Sequence, residues 1–171
     1  MLRSLSIRDF VIVDHLDLEF DRGFGALTGE TGAGKSILLG ALGLALGGRG
    51  EAGMVRPDRE RADVVAEFDL PERGGLRAWL AEHDLVADEG SVLLRRTIDA
   101  AGRSRAWING SSVTLAQLRA ASDWLADIHG QHAHHALLRP DAQRALLDAH
   151  AGARGLAAEV DTLYRAWQQL V

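Results

Sequence analysis

The chain has 171 residues, which is long enough for one domain with a hydrophobic core and little beside it. Its net charge is −5, so it is not a uniformly basic nucleic-acid binder, and the absence of cysteine excludes disulfides and thiol catalysis. No run is long and apolar enough to cross a bilayer, and the first four residues lack the apolar segment of a signal peptide. We therefore expect a cytoplasmic protein with no membrane partner.

The first part of the chain predicts three strands. Residues 2–13 and 16–20 alternate apolar with polar side chains, and the first of these runs slips its alternation near Asp9. A third apolar run, Phe24 to Thr28, leads directly into a glycine-rich segment. Many small P-loop kinases carry their phosphate loop after the first strand, so a loop after the third strand counts against a kinase.

The glycine-rich segment has the spacing of a phosphate-binding loop: a glycine, four free positions, then Gly-Lys-Ser. Its residues are Gly29, Glu30, Thr31, Gly32, Ala33, Gly34, Lys35 and Ser36. Glycines let successive backbone N–H groups turn towards an anion, and the following helix adds its positive end. We expect Lys35 to reach the outer phosphates of ATP and Ser36 to ligate Mg²⁺.

An apolar helix from Ile37 to Leu46 follows the loop, and Gly47-Gly48 ends it. The polar residues 49–61 are typical of a loop. Arg49 could reach nucleotide or a partner subunit from there, although a solvated arginine beside a helix end is the more ordinary interpretation.

The middle of the chain predicts a strand, a helix and a hairpin. Residues 64–70 alternate as a strand, and residues 75–85 have helical spacing. Residues 92–98 and 103–108 are two more strands joined by a turn, and Asn109-Gly110 marks a further turn. The arginines that make this hairpin basic are Arg95, Arg96, Arg103 and Arg105. They indicate either contact with a phosphate backbone or a solvated sheet face, and we favour the solvated face.

A helix is predicted from Thr114 to Ile128, because Thr114 can cap it with Gln117 three residues on. Histidines follow at positions 129, 132, 134 and 135, but no standard ligand spacing is present, so we do not expect zinc. Gln131 could orient water or a magnesium ligand, and taken alone it could equally be a plain loop residue.

The last part of the chain predicts a helix from Pro140 to Ala149, a break at Ala151-Gly152, and a heptad pattern. The apolar residues of the pattern are Leu156, Val160, Leu163, Trp167 and Leu170. Two heptads do not separate a coiled coil from one amphipathic helix. We favour the start of a longer helix.

The second acidic element of a P-loop ATPase, an apolar strand that ends in aspartate, is not evident. The nearest candidate is the run Val64 to Asp69, where the acids alternate within the strand. This favours one half of a split site. Two alternatives remain open: a complete small-molecule kinase, and a non-hydrolysing module in which ATP holds two subunits together.

Four motifs together closely resemble the SMC-like group of ABC-type ATPases, in particular its bacterial DNA-repair members. They are Leu5-x-Ile7-x-x-Phe10-x-Ile12, Leu18-x-Phe20-x-x-Gly23-Phe24, the loop at residues 28–36, and Ile128-His129-Gly130-Gln131-His132. The resemblance implies an α/β fold, with the N-terminal lobe of a P-loop ABC-type ATPase head over residues 1–150. It implies a mixed sheet with flanking helices in that lobe, and the start of a coiled-coil helix over residues 151–171.

The same resemblance implies a site and partners. Gln131 would lie on the Q-loop, in contact with Mg²⁺ and the attacking water, so that Lys35 and Gln131 act in catalysis and Ser36 and Gln131 at the metal. The partners would be the C-terminal lobe of the same protein, a second head in a homodimer, and DNA through the complete protein. We expect ATP hydrolysis in DNA double-strand-break repair and recombination, poor in this chain alone, in a cytoplasmic protein that associates with the nucleoid.

Overall fold

The computed structural model describes residues 1–30, 34–71, 75–86, 90–126, 128, 143–144, 147–148 and 150–168. The chain divides into two compact units, Met1–Asp127 and Ile128–Val171. None of the helices among the described residues combines the length and apolarity needed to cross a membrane.

The first unit is built on a six-stranded sheet in the order β2-β1-β3-β4-β5-β6. Its strands are β1 Leu2–Phe10, β2 Val13–Glu19, β3 Arg61–Asp69, β4 Ser91–Asp99, β5 Ser104–Ile108 and β6 Ser111–Val113. Every pairing between these strands is antiparallel. The helices of this unit are α1 Lys35–Ala45, α2 Leu76–Glu82 and α3 Leu115–Ser122, and Ala52–Met54 forms one turn of 3₁₀ helix.

One face of the sheet is apolar and is covered by the helices. Because side chains alternate between the two faces of a strand, every second residue of β3 and β4 points into this core. The fully buried members include Ile7, Val64, Leu94, Ile98 and Ile108 from the strands, and Leu44, Leu80 and Leu118 from the helices. The opposite face is polar, which is the usual pattern for an antiparallel sheet that packs on one side.

The predicted slip near Asp9 is confirmed. Buried side chains run Leu5, Ile7 and then Phe10, and Asp9 has a positive φ of 49°. The first strand nevertheless ends earlier than predicted, because the chain turns at residues 11–12 and Phe10 pairs with Val13 at the start of β2.

The predicted strand from Phe24 to Thr28 is wrong. Residues 24–30 have no regular secondary structure, and Phe24 and Leu27 are 99% and 56% exposed. A strand needs a neighbour to accept its hydrogen bonds, and no described strand pairs with this segment. Apolar sequence alone therefore does not order it.

The end of α1 follows the prediction. Gly47 takes a φ of 92° and its N–H bonds to the Leu44 carbonyl at 3.0 Å, while the Gly48 N–H bonds to the Gly43 carbonyl at 2.8 Å. These two bonds form a Schellman cap, which needs a left-handed residue and so favours glycine. The loop predicted after it contains the 3₁₀ turn and a bridge from Val55 to Phe10.

The capping box at Thr114 is confirmed. The Thr114 hydroxyl accepts from the Gln117 N–H at 3.2 Å, and the Gln117 side chain accepts from the Thr114 N–H at 3.0 Å. The helix ends at Ser122, six residues before the predicted end, because the last turn tightens to bonds such as Leu125 N–H to the Ser122 carbonyl.

The turn at Asn109-Gly110 is also confirmed, since both residues have positive φ. The three-residue strand β6 that it introduces is absent from the sequence prediction.

The second unit contains the helix α4, Arg154–Gln168. The break predicted at Ala151-Gly152 is confirmed by a turn in which Gly152 has a φ of 67°. The described members of the heptad stripe are exposed: Leu156, Val160, Leu163 and Trp167 are each more than half accessible. Leu170 lies outside the described residues.

Candidate functional site

The amino end of α1 forms the candidate site. Gly34 caps the helix with φ 87° and ψ −2°, a left-handed conformation that glycine adopts without strain. Its carbonyl accepts from the N–H groups of Ile37 and Leu38 at 3.0 and 3.1 Å. The N–H groups of Lys35 and Ser36 precede the first of these bonds and have no acceptor within the helix, so this end can bind an anion.

The lysine of the loop folds back over it. Lys35, the only lysine in the sequence, donates from Nζ to the Glu30 carbonyl at 2.6 Å and also to the Gly29 carbonyl. Both acceptors are neutral carbonyl groups on an exposed loop. A phosphate group would be a stronger acceptor for this ammonium, because its oxygens carry negative charge.

Ser36 occupies the first turn of α1 and is exposed. A hydroxyl oxygen is a suitable ligand for Mg²⁺, which prefers oxygen ligands and keeps several waters. The donor set of helix N–H groups, one ammonium and one hydroxyl therefore fits a phosphate chain with its magnesium ion. Thr31, Gly32 and Ala33, in the middle of the loop, lie outside the described residues.

The acidic residues Glu67 and Asp69 of β3 form ion pairs with Arg3. Arg3 donates from Nε to Asp69 at 2.6 Å and contacts Glu67 at 3.4 Å. The hydrogen bond from Arg3 holds the pKa of the Asp69 carboxyl below its usual range. These carboxylates neutralise an arginine of β1, so they do not supply the second acidic element of an ATPase. No group of three or more potential metal ligands occurs among the described residues.

The structure adds little about two other candidates, Gln131 and Arg49. Gln131 and the predicted histidine segment fall outside the described residues. Arg49 is exposed, and its Nε lies 3.5 Å from Glu51 Oε1.

The solvated face predicted for the four hairpin arginines is wrong for one of them. Arg96 is only 2% exposed, because it shares its strand face with Leu94 and Ile98. Burial lowers the pKa of Arg96, and the nearby charge of Arg119 acts in the same direction. Its Nη2 donates to Ser104 Oγ at 2.8 Å, while Nε has no partner in the described part of the chain. The alternation of the strand from Val92 onward places Arg96 on the buried face, so the sequence contained the signal for its burial.

A family model described as an AAA domain matches residues 4–77. The chain is 45% identical over 169 residues to the DNA repair protein RecN of Vibrio cholerae serotype O1, covering 99% of this chain and 30% of the relative. It is 38% identical to the DNA repair protein RecN of Bacillus subtilis strain 168, covering 99% of this chain and 28% of the relative. The chain thus spans about 30% of the length of the curated relatives it matches.

Solved structures share the fold. The Smc head domain with a coiled coil and joint from Pyrococcus yayanosii has a TM-score of 0.71 at 20% identity, over 98% of this chain and 35% of that one. A solved chain described under ATP-driven dimerization and DNA stimulated activation of SMC ATPases has a TM-score of 0.61 at 21% identity. The match covers 86% of this chain and 97% of that one.

The antiparallel sheet, the helices on one of its faces and the glycine loop before α1 give the chain the fold of the N-terminal lobe of an SMC-type head domain. This confirms the predicted fold class. Within that class, almost the whole chain is similar to DNA repair proteins named RecN, at 42–45% identity. The kinase alternative is not favoured, since relatives that match almost the whole chain are DNA repair proteins.

Proposed function

We propose that this chain binds ATP with Mg²⁺ and, in the complete protein, forms part of a head that hydrolyses ATP during DNA double-strand-break repair and recombination. The observation that carries the proposal is the position of Lys35. Its ammonium lies over the loop at the amino end of α1, where the phosphates of a nucleotide would replace two carbonyl acceptors.

The residues of the loop divide three tasks in nucleotide binding among them. Gly29, Glu30, Thr31, Gly32, Ala33 and Gly34 present backbone N–H groups to the phosphates. Lys35 places a positive charge on the outer phosphates, and the Ser36 hydroxyl ligates Mg²⁺. Gln131 orients the attacking water and reaches the metal. When bound, Mg²⁺ neutralises negative charge on the phosphates.

The C-terminal lobe of the same protein completes the head. Apolar side chains around the loop support this step, since Phe24 is 99% exposed, Leu27 56% and Leu39 51%. We take these side chains, which flank the loop in sequence, as part of the surface that this lobe covers. The missing acidic strand and the partner for residues 24–28 then come from that lobe, and a second head of a homodimer closes over ATP.

The division into residues 1–150, the lobe, and 151–171, the start of the coiled coil, remains part of the proposal. The exposed stripe of α4 supports it, because Leu156, Val160 and Leu163 follow the heptad spacing and lie open to solvent. A returning helix of the same protein would cover this stripe. We place the complete protein in the cytoplasm, on the nucleoid when it acts on DNA.

ATP binding and turnover test the proposal. We expect the 171-residue chain to bind a fluorescent ATP analogue weakly and to show little hydrolysis, and Lys35→Ala to abolish binding. Arg77→Ala, which removes an exposed arginine from α2, serves as the control. Adding the C-terminal lobe should restore DNA-stimulated hydrolysis. Robust hydrolysis by the chain alone that Lys35→Ala removes would contradict the split site, and phosphoryl transfer to a metabolite would establish the kinase instead.

Gln131 has its own test in the assembled head. Gln131→Ala should lower the rate of ATP hydrolysis more than it lowers ATP affinity, because positioning water matters only in the chemical step. Unchanged turnover would remove Gln131 from the site.

A further inference from the structure

The polar face of the sheet carries a groove on the strands β3, β4 and β5. Its volume is about 420 Å³. Its lining residues are Arg61, Arg95, Thr97, Asp99, Arg103, Ser104, Arg105 and Trp107. Four arginines line the groove and two carboxylates, Asp99 and Asp63, lie on the same face, so the net charge there is positive although that of the whole chain is −5.

Two of these arginines are held in place by acids on the same face. Arg95 donates from Nε to Asp63 Oδ1 at 3.0 Å and makes a second bond to the other oxygen, and its guanidinium lies over the Trp107 ring, 5.2 Å from the centroid. Arg103 donates from Nε to Asp99 at 2.6 Å and is 83% exposed. Each keeps further N–H groups beyond those that the acid uses, because a guanidinium carries five.

The other two arginines have no such acid. Arg61 and Arg105 are exposed, and neither forms an ion pair with any described residue. In the sheet register Arg61 is opposite Asp99 and Arg105 is opposite Thr97, so the pair spans β3 to β5. Two strand spacings across the sheet and two residues along it separate them, roughly 12 Å between their backbones.

Resting on the proposed role of the complete protein in DNA repair, we propose that this groove binds the sugar-phosphate backbone of duplex DNA, through Arg61 and Arg105. Charge complementarity supports a polyanion, since phosphates are bound mainly by arginine and lysine and Lys35 is the only lysine. The guanidinium that covers the Trp107 ring favours a duplex over a single strand as the ligand. Single strands are bound by open aromatic rings on which bases stack, and Arg95 covers this ring.

The test compares two double variants of the complete protein in binding a labelled blunt duplex. Arg61→Ala/Arg105→Ala removes the two groove arginines, and Arg22→Ala/Arg77→Ala removes two exposed arginines elsewhere, so the change in net charge is the same. We expect the groove variant to lose about tenfold in affinity for each phosphate contact at 0.1 M salt. The slope of log affinity against log salt should fall by about 0.9 for each contact. The control should match the wild type.

Three results would overturn the inference: unchanged duplex binding in the groove variant, an equal loss in both variants, or a larger loss for a labelled single strand than for the duplex. Binding of the ATP analogue, measured on the same samples, separates this inference from the proposed function. If ATP binding depends on Lys35 while the groove variant binds duplex normally, only the groove assignment fails. If the wild type does not bind ATP, the proposed function fails. Thermal unfolding of both variants checks that they are folded.

Discussion

Arg119 on α3 donates a hydrogen bond from Nε to the carbonyl of Gly47, at 2.7 Å. Gly47 is the left-handed residue that caps α1, so this bond joins α3 to the end of the P-loop helix. A cation at the carboxyl end of a helix also complements the helix dipole. One of the contacts that hold α1 in the lobe therefore joins residues that are 72 positions apart in sequence.

Arg119→Met should lower the free energy of unfolding by about 1 kcal/mol, because it leaves the Gly47 carbonyl without its charged donor while keeping most of the aliphatic side chain. Chemical unfolding of the two proteins measures the difference. Arg77→Met on α2 is the control and should be close to the wild type. Equal stability of Arg119→Met and the wild type would show that water replaces this bond at no cost.

Gly47→Ala should cost about 1–2 kcal/mol, because a Cβ is disfavoured in the left-handed region. The structure adds a steric conflict, since a Cβ at this position would lie 2.6 Å from Arg119 Cγ. Gly53→Ala is the matched control, since its Cβ would meet no atom within 4 Å. Chemical unfolding of both variants should separate them. If Gly47→Ala proved as stable as Gly53→Ala, the Schellman cap would not be what ends α1.

Arg96→Met should be as stable as the wild type or more stable, because it removes a buried charge whose Nε has no partner among the described residues. Arg96→Ala removes the same charge but leaves a cavity, so it should be less stable than Arg96→Met by about 2 kcal/mol or more. Thermal unfolding of both variants measures this. A loss in Arg96→Met as large as that in Arg96→Ala would mean that the charge itself stabilises the core.

Asp99 should contribute to stability in a pH-dependent way. Partial burial raises the pKa of this carboxyl, but hydrogen bonds from the Arg103 backbone and side chain outweigh that effect, and the pKa lies below the ordinary value of 3.8. Since the folded pKa is the lower one, the stabilisation is complete above pH 3.8 and is lost as pH falls through the folded pKa.

Asp99→Asn should therefore melt at a lower temperature than the wild type at neutral pH, and the difference should shrink as pH falls below 3.8. Melting curves over this range measure the effect. Asp21→Asn removes an exposed carboxylate from the segment after β2 and provides the comparison. A difference that stays constant with pH would show that it does not come from the charge of Asp99.

Local sequence patterns predicted much of the lobe because the forces behind them are local. The capping box at Thr114, the glycine stop at Gly47 and the turn at Asn109 each depend on a few neighbouring residues, and each is found in the structure. The phosphate-binding role of the loop from Gly29 to Ser36 was likewise predicted from spacing alone, and it remains part of the proposal.

Phe24 and Arg96 show where such patterns fail. The run that begins at Phe24 has strand-like composition, but a strand also needs a partner, and pairing is a property of the sheet. Arg96 was grouped with its exposed neighbours by charge, whereas its burial depends on which face of β4 the helices cover.

The sequence by itself determined the main turns and caps, because these depend on residue identity at short, fixed spacings. It also predicted a phosphate-binding loop and the resemblance to DNA-repair ATPases. Only the tertiary structure decided the strand order, the burial of Arg96, the bond from Arg119 to Gly47 and the gathering of Arg61 and Arg105 into one groove. Those features join residues far apart in the chain, and the pairing of strands and the packing of helices bring them together.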